Sequence, residues 1–153
     1  MKNLLIYLVI NLTMVVAFAD HHESSSISEV EYTVKSFNKS YAANDVEGYF
    51  KNFDLDAILY FYGNRWEVPI YHAYWKDYVT QEGGAVEEII ISDMRIKVLS
   101  DNNVAVATYF VENHSRSPEG DISEEKAYET DVLQKINGEW KIVSLHYSVI
   151  VPE

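Results

Sequence analysis

The sequence predicts an α+β fold in which N-terminal helices pack on one side of a mostly antiparallel sheet. Apolar residues recur at helical steps before the Gly83-Gly84 pair. Beyond that pair, four long segments rich in β-branched and aromatic residues follow one another, separated by turn residues. Helices first and a strand meander afterwards is the pattern of helices segregated to one face of a sheet.

The elements follow in order. Residues 20–26 form a flexible lead-in, and a domain spans 27–153. From Ile27 the residues Val30, Val34, Phe37 and Tyr41 mark one face of a first helix, with Ser28 or Ser26 as cap. Asn44-Asp45 opens a second short helix from Val46 to Phe53. Asp56 to Tyr62 (DAILYFY) is a strand, closed by a turn at Gly63-Asn64. Pro69 suits a helix first turn, and Ile70, Tyr74 and Tyr78 mark one face of that helix. Four strands then cover Val86–Leu99, Val104–Arg116, Ser123–Ile136 and Glu139–Val151. Their turns are Ser100-Asp101-Asn102-Asn103, Ser117-Pro118-Glu119-Gly120 and Asn137-Gly138, the last a strong hairpin signal.

The last strand raises the question of faces. One side carries Trp140, Ile142, Ser144, His146 and Ser148, the other Lys141, Val143, Leu145, Tyr147 and Val149. Neither is plain solvent surface. Helices cover one side of a sheet, so homodimerisation, or a higher oligomer, is the simplest cover for the other.

Composition limits the function classes. The segment Leu4 to Phe18 is apolar apart from Asn11 and Thr13, follows Lys2, and ends in Ala17-Phe18-Ala19. That is the layout of a secretory signal covering residues 1–19, so a secreted or periplasmic protein is expected. Loss of Lys2 would take the formal charge from −12 to −13. Such an acidic domain repels phosphate backbones and anionic lipid, so neither nucleic acid nor a membrane surface is an expected partner after cleavage. The chain has no cysteine, hence no disulfide and no thiolate metal site. Its five histidines include no H-x-x-x-H or H-E-x-x-H spacing, and no metal or other cofactor is expected in the domain. Cleavage after Ala19 would, however, expose Asp20-His21-His22. A terminal amine, two amides and a third-position imidazole can hold copper(II) or nickel(II) in a square plane.

The segments AANDVEGYF, DAILYFY, VLSDNNVAVATYF and ETDVLQKINGEWKIV, with a terminal H-x-S, resemble the nuclear transport factor 2-like (SnoaL-like) superfamily over roughly Ile27 to Val151. Within it the nearest likeness is to the association domain of calcium/calmodulin-dependent protein kinases. The resemblance implies a cone: a curved sheet around helices, a pocket between them, and a dimer on the outer face. In that frame Trp140, Ile142, Ser144, His146 and Ser148 are placed inward, since small polar groups tolerate a wet cavity. Val143, Leu145, Tyr147 and Val149, with Tyr109 and Val111, are placed at the dimer interface.

The resemblance also allows residue-by-residue comparison. Ketosteroid isomerases carry a tyrosine on the first helix and an aspartate at the end of the first strand, and the matching positions here are Phe37 and Phe61. Arginines that line the kinase pocket match Phe110 and Asp131. The iota-class carbonic anhydrases end in a His-His-Ser-Ser motif, matched by Leu145-His146-Tyr147-Ser148. Their third-helix tyrosine matches Tyr78, and their threonine becomes Tyr62.

Strand alternation places Phe110, Glu112 and His114 inward on one strand and Ala127, Glu129, Asp131 and Leu133 on the next. With Tyr62, Tyr78, His146 and Ser148 these make a candidate small-molecule pocket, acidic and aromatic, suited to a neutral, weakly polar or cationic ligand. Alternation fixes a face and not a depth. Glu112 and His114 also fit a solvated strand end, and His146 a satisfied core histidine. Three functions stay open: a small-molecule pocket domain, a non-catalytic oligomerisation module, and a carbonic anhydrase-like lyase with a degenerate motif.

Overall fold

The computed structural model describes residues 24–80, 82–99 and 102–151. The expected signal segment and the Asp20-His21-His22 terminus lie outside the described residues. Helices α1 (24–42), α2 (Val46–Phe50) and α3 (Val68–Thr80) pack on a curved six-stranded sheet. Its strands are β1 (Phe53–Phe61), β2 (Asn64–Glu67), β3 (Ala85–Val98), β4 (Val104–Arg116), β5 (Ile122–Ile136) and β6 (Glu139–Val149). The order across the sheet is β2-β1-β6-β5-β4-β3, antiparallel except where β1 runs parallel to β6.

Local chemistry sets the helix ends. Val30, Val34 and Phe37 of α1 are all buried, as their spacing requires. Residues 24–26 are already helical and not lead-in. Ser25 Oγ donates to Glu29 Oε1 and Ser28 Oγ to the Ser24 carbonyl, so these serines bond along their own helix. Asn44 then takes a left-handed conformation (φ 54°), and its side-chain amide exchanges two 2.8 Å hydrogen bonds with the backbone of Val86. That clamp fixes α1 against the start of β3. Asp45 caps α2 by accepting from the Gly48 N–H at 2.9 Å. The helix stops at Phe50 rather than Phe53 because Asn52 Nδ2 donates to the carbonyls of Gly48 and Tyr49. Phe53 is thereby free to open β1.

The hairpin β1–β2 was not visible in the sequence. Its two-residue turn is Tyr62-Gly63, both at positive φ (53° and 72°), with a tyrosine where such turns favour Asn or Asp. In α3 the buried face is Val68, Tyr71 and Trp75, whereas Ile70 and Tyr74 are exposed. The helical stripe is therefore offset by one position from the expected one.

Two strand faces are the reverse of the expectation. On β4 the residues Ala105, Ala107, Tyr109, Val111 and Asn113 point to the core, and Phe110, Glu112 and His114 point away. The loop to β5 runs from Ser117 to Asp121, pairing Arg116 with Ile122 and hence Tyr109 with Glu129. Paired residues share a face, and a one-residue change of loop length exchanges the faces.

On β6 the cause is a bulge. Leu133 pairs with Ile142 but Val132 pairs with Ser144, so Val143 is the extra residue. Trp140 and Ile142 face inward as expected. Beyond the bulge Leu145, Tyr147 and Val149 share the inner face with Asp131, Glu129 and Ala127. Ser144, His146 and Ser148 therefore face outward. The bulge forgoes about one ladder hydrogen bond, worth about 1 kcal/mol, whereas burying Leu145 as well as Ile142 gains about 2 kcal/mol each. Burial wins. Leu145, Tyr147, Tyr109 and Val111 are thus core residues and not an interface.

Candidate functional site

A cavity of about 50 Å³ lies where the three helices meet the inner face of the sheet. The rings of Phe37, Tyr41, Tyr49, Phe61 and Tyr71 wall it, with Ile89, Val111 and Leu145 adding aliphatic surface. Its polar lining is Asn38, Asn113, Glu129, Tyr62 and Tyr147. The volume admits a few waters or one small molecule, far below the ~300 Å³ at which drug-sized pockets begin. Among the described residues, none that line it is basic.

Behind this cavity sits a buried acid cluster. The Tyr109 hydroxyl is within hydrogen-bonding distance of Glu129 Oε1 and lies 2.7 Å from Asp131 Oδ2. Asn38 Nδ2 donates to the same hydroxyl oxygen at 3.3 Å and to the Val34 carbonyl at 3.0 Å. A phenol has one hydrogen, so it can donate to only one of two carboxyls; the other must bring its own proton. The geometry therefore requires at least one protonated acid. Electrostatics agree. Burial raises both carboxyls, Asp131 being pushed up to about 7. Glu129 is raised well above the carboxylate range by burial and then by the Asp131 charge. Tyr109 is raised by burial and by both acids.

The inner face of β5 presents Glu125, Ala127, Glu129 and Asp131 in one line. Glu129 reaches the cavity wall, Asp131 is fully buried behind it, and Glu125 stands at the mouth. There Tyr62 Oη donates to Glu125 Oε1 at 2.7 Å, and the Tyr62 and Tyr147 rings lie 6.1 Å apart. Burial and the Glu125 carboxylate raise both phenols. Among the described residues, three buried polar atoms lack a close partner: Asn113 Oδ1, Asp131 Oδ1 and Tyr147 Oη, the last of these facing the Glu125 carboxylate. Two of those residues, Asn113 and Tyr147, line the cavity.

Of the residues named from sequence, Tyr62 and Glu129 line this cavity and Asp131 lies directly behind it. Phe37 and Phe61, the isomerase-equivalent positions, also line it as hydrocarbon rings. Tyr78 does not; its hydroxyl donates to the Arg116 carbonyl at 2.9 Å. Phe110, Glu112, His146 and Ser148 sit on the opposite side of the sheet, because of the β4 register and the Val143 bulge. Phe110 packs there edge-on against Tyr128. Tyr109, Asn38, Asn113 and Tyr147 were missed. The cross-strand partner of Glu129 would have named Tyr109, had the loop length been known.

Among the described residues no group of three or more His, Cys, Asp or Glu is placed to hold a metal ion, and no helix is long and apolar enough to cross a membrane.

No curated protein matches the chain by sequence. Solved structures share its fold. An NTF2-like protein from Cytophaga hutchinsonii is 17% identical with a TM-score of 0.68, covering 79% of this chain and 95% of its own. The association domain of C. elegans CaMKII is 16% identical with a TM-score of 0.65, covering 82% and 97%. A ketosteroid isomerase-like protein from Erwinia carotovora atroseptica is 14% identical with a TM-score of 0.69, covering 82% and 96%. The model of the SnoaL-like domain family matches residues 30–152, most of the chain, and this protein belongs to that family.

Proposed function

We propose that this SnoaL-like domain binds a small, hydrogen-bond-donating molecule in the cavity between helices and sheet. The observation that carries it is the buried Asn113 Oδ1, without a close partner, in a cavity walled mostly by rings. A buried polar atom without a partner costs about 1–3 kcal/mol, a cost that a bound donor would relieve. Tyr62 closes the mouth through a single hydrogen bond to Glu125 from an exposed turn, so entry requires little rearrangement. Export remains part of the proposal and rests on the Leu4–Phe18 run alone. The test is a fragment screen by protein-observed NMR. Hits should shift Asn113 and Ala127 together, and Val111→Phe, which fills the cavity, should abolish them. A screen whose hits ignore that variant would contradict the proposal.

A second use of the domain, self-association, is favoured by the outer face. Tyr60, His146, Thr130 and Thr108 form one cross-strand row there, beside Phe110 and Tyr128, the latter 59% exposed. Aromatic and β-branched surface of this kind suits a second copy of the chain, and the similar C. elegans structure is described as an association domain. The carbonic anhydrase alternative has weaker support, because His146 and Ser148 lie on this outer face, away from the cavity.

A further inference from the structure

We infer that the molecule held in this cavity carries a small amino group, bound as an ammonium against Glu129 and Asn113. The inference rests on the cavity being a ligand site and adds the chemistry of its ligand.

The acceptors decide the polarity. Asn113 is 7% exposed, lines the cavity, and its Oδ1 has no close partner. The Glu129 carboxyl reaches the same space, and only its Oε1 is engaged by Tyr109. The Asn113 amide stands beside the Tyr41 hydroxyl, so the Glu129 carboxyl is the acceptor that calls for a donor, and an ammonium has three donors on one atom. The walls suit the charge as well. Tyr41, Tyr49 and Phe37 present ring faces and edges, with Phe37 and Tyr49 stacked at 4.6 Å. Aromatic rings attract a cation, the more strongly when water is excluded. An anion would meet two acids and find no basic residue in the lining.

The acid cluster supplies the compensating charge. Glu129 and Asp131 share protons through Tyr109, so entry of an ammonium can expel one proton and leave one negative charge facing one positive. No net charge is then buried. Other ionisable groups face the pair from every packed element: Tyr41 on α1, Tyr49 on α2 and Tyr71 on α3. Glu125 on β5 and the Tyr62 and Tyr147 phenols complete the set at the mouth. Burial raises all five of these tyrosines, so they stay neutral across the range in which the carboxyl pair titrates.

The test is an NMR titration of the isotope-labelled protein with ethylammonium chloride, ethanol and sodium acetate in separate arms. Ethylammonium should saturate the shifts of Asn113 and Ala127 and should bind about tenfold more tightly at pH 8 than at pH 6. Ethanol and acetate should not saturate. Glu129→Gln should lose ethylammonium binding; should that variant fold poorly, Asp131→Asn should still bind ethylammonium, with a pH dependence now set by Glu129 alone. Saturation by ethanol but not ethylammonium would overturn the amino-group inference and leave the cavity as a ligand site. Saturation by none of the three would count against both. Binding unchanged in Glu129→Gln would mean ordinary cation attraction to an acidic surface and would overturn the inference.

Discussion

Tyr109 on β4 and Asp131 on β5 meet at 2.7 Å, Oη to Oδ2, with Asp131 fully buried. The contact makes folding proton-linked. An unfolded aspartate releases its proton near 4, whereas burial pushes folded Asp131 up to about 7. Between those values the native state holds a proton that the unfolded state lacks. Its stabilising effect is complete below pH 4 and is lost as pH rises to about 7, on the order of 4 kcal/mol in all. Asp131→Asn should flatten this slope and be more stable than wild type at pH 8, leaving the slope contributed by Glu129. Urea unfolding from pH 4 to pH 8 checks it.

Removing the bridging hydroxyl has a different signature. Tyr109→Phe leaves two buried carboxyls and Asn38 without their shared partner, at about 1–3 kcal/mol. The ring still fills its place, so the far-ultraviolet spectrum should be unchanged. A drop in melting temperature at constant secondary structure is the expected outcome.

The bulge at Val143 is tested by neighbours. Leu145→Asp would put a carboxylate beside Asp131 in the core and should prevent folding. His146→Asp, one residue on, sits on the outer face and should change stability by less than about 1 kcal/mol. Equal damage from both would place the face boundary elsewhere.

Tyr128→Asp and Phe110→Asp probe the outer face without touching the cavity. Both should lower the oligomeric state seen by light scattering if a second copy covers that face. A wild-type chain that is monomeric at micromolar concentration would remove self-association.

The fold class and the order of the four long strands were legible because periodicity and turn residues act locally. Faces were not, because they depend on register. On β6 the apolar set switches parity between Ile142 and Leu145, which is the mark of a bulge once it is looked for. On β4 no local feature separates Tyr109 from Phe110, and only the Ser117–Asp121 loop decides. Glu129 and Asp131 were visible as inward acids on β5. Their partner Tyr109 was assigned to the opposite face, so the cluster could not be assembled from sequence.

The most direct measurement is a carbon-13 NMR titration of the side-chain carboxyl carbons of Glu129 and Asp131 from pH 4 to pH 9. At least one should remain protonated at pH 6, with the two titrating as a linked pair and the Tyr109 ring responding to the same steps. Two independent titrations near pH 4 would mean an ionised, hydrated site, and the shared proton at the back of the cavity would not exist.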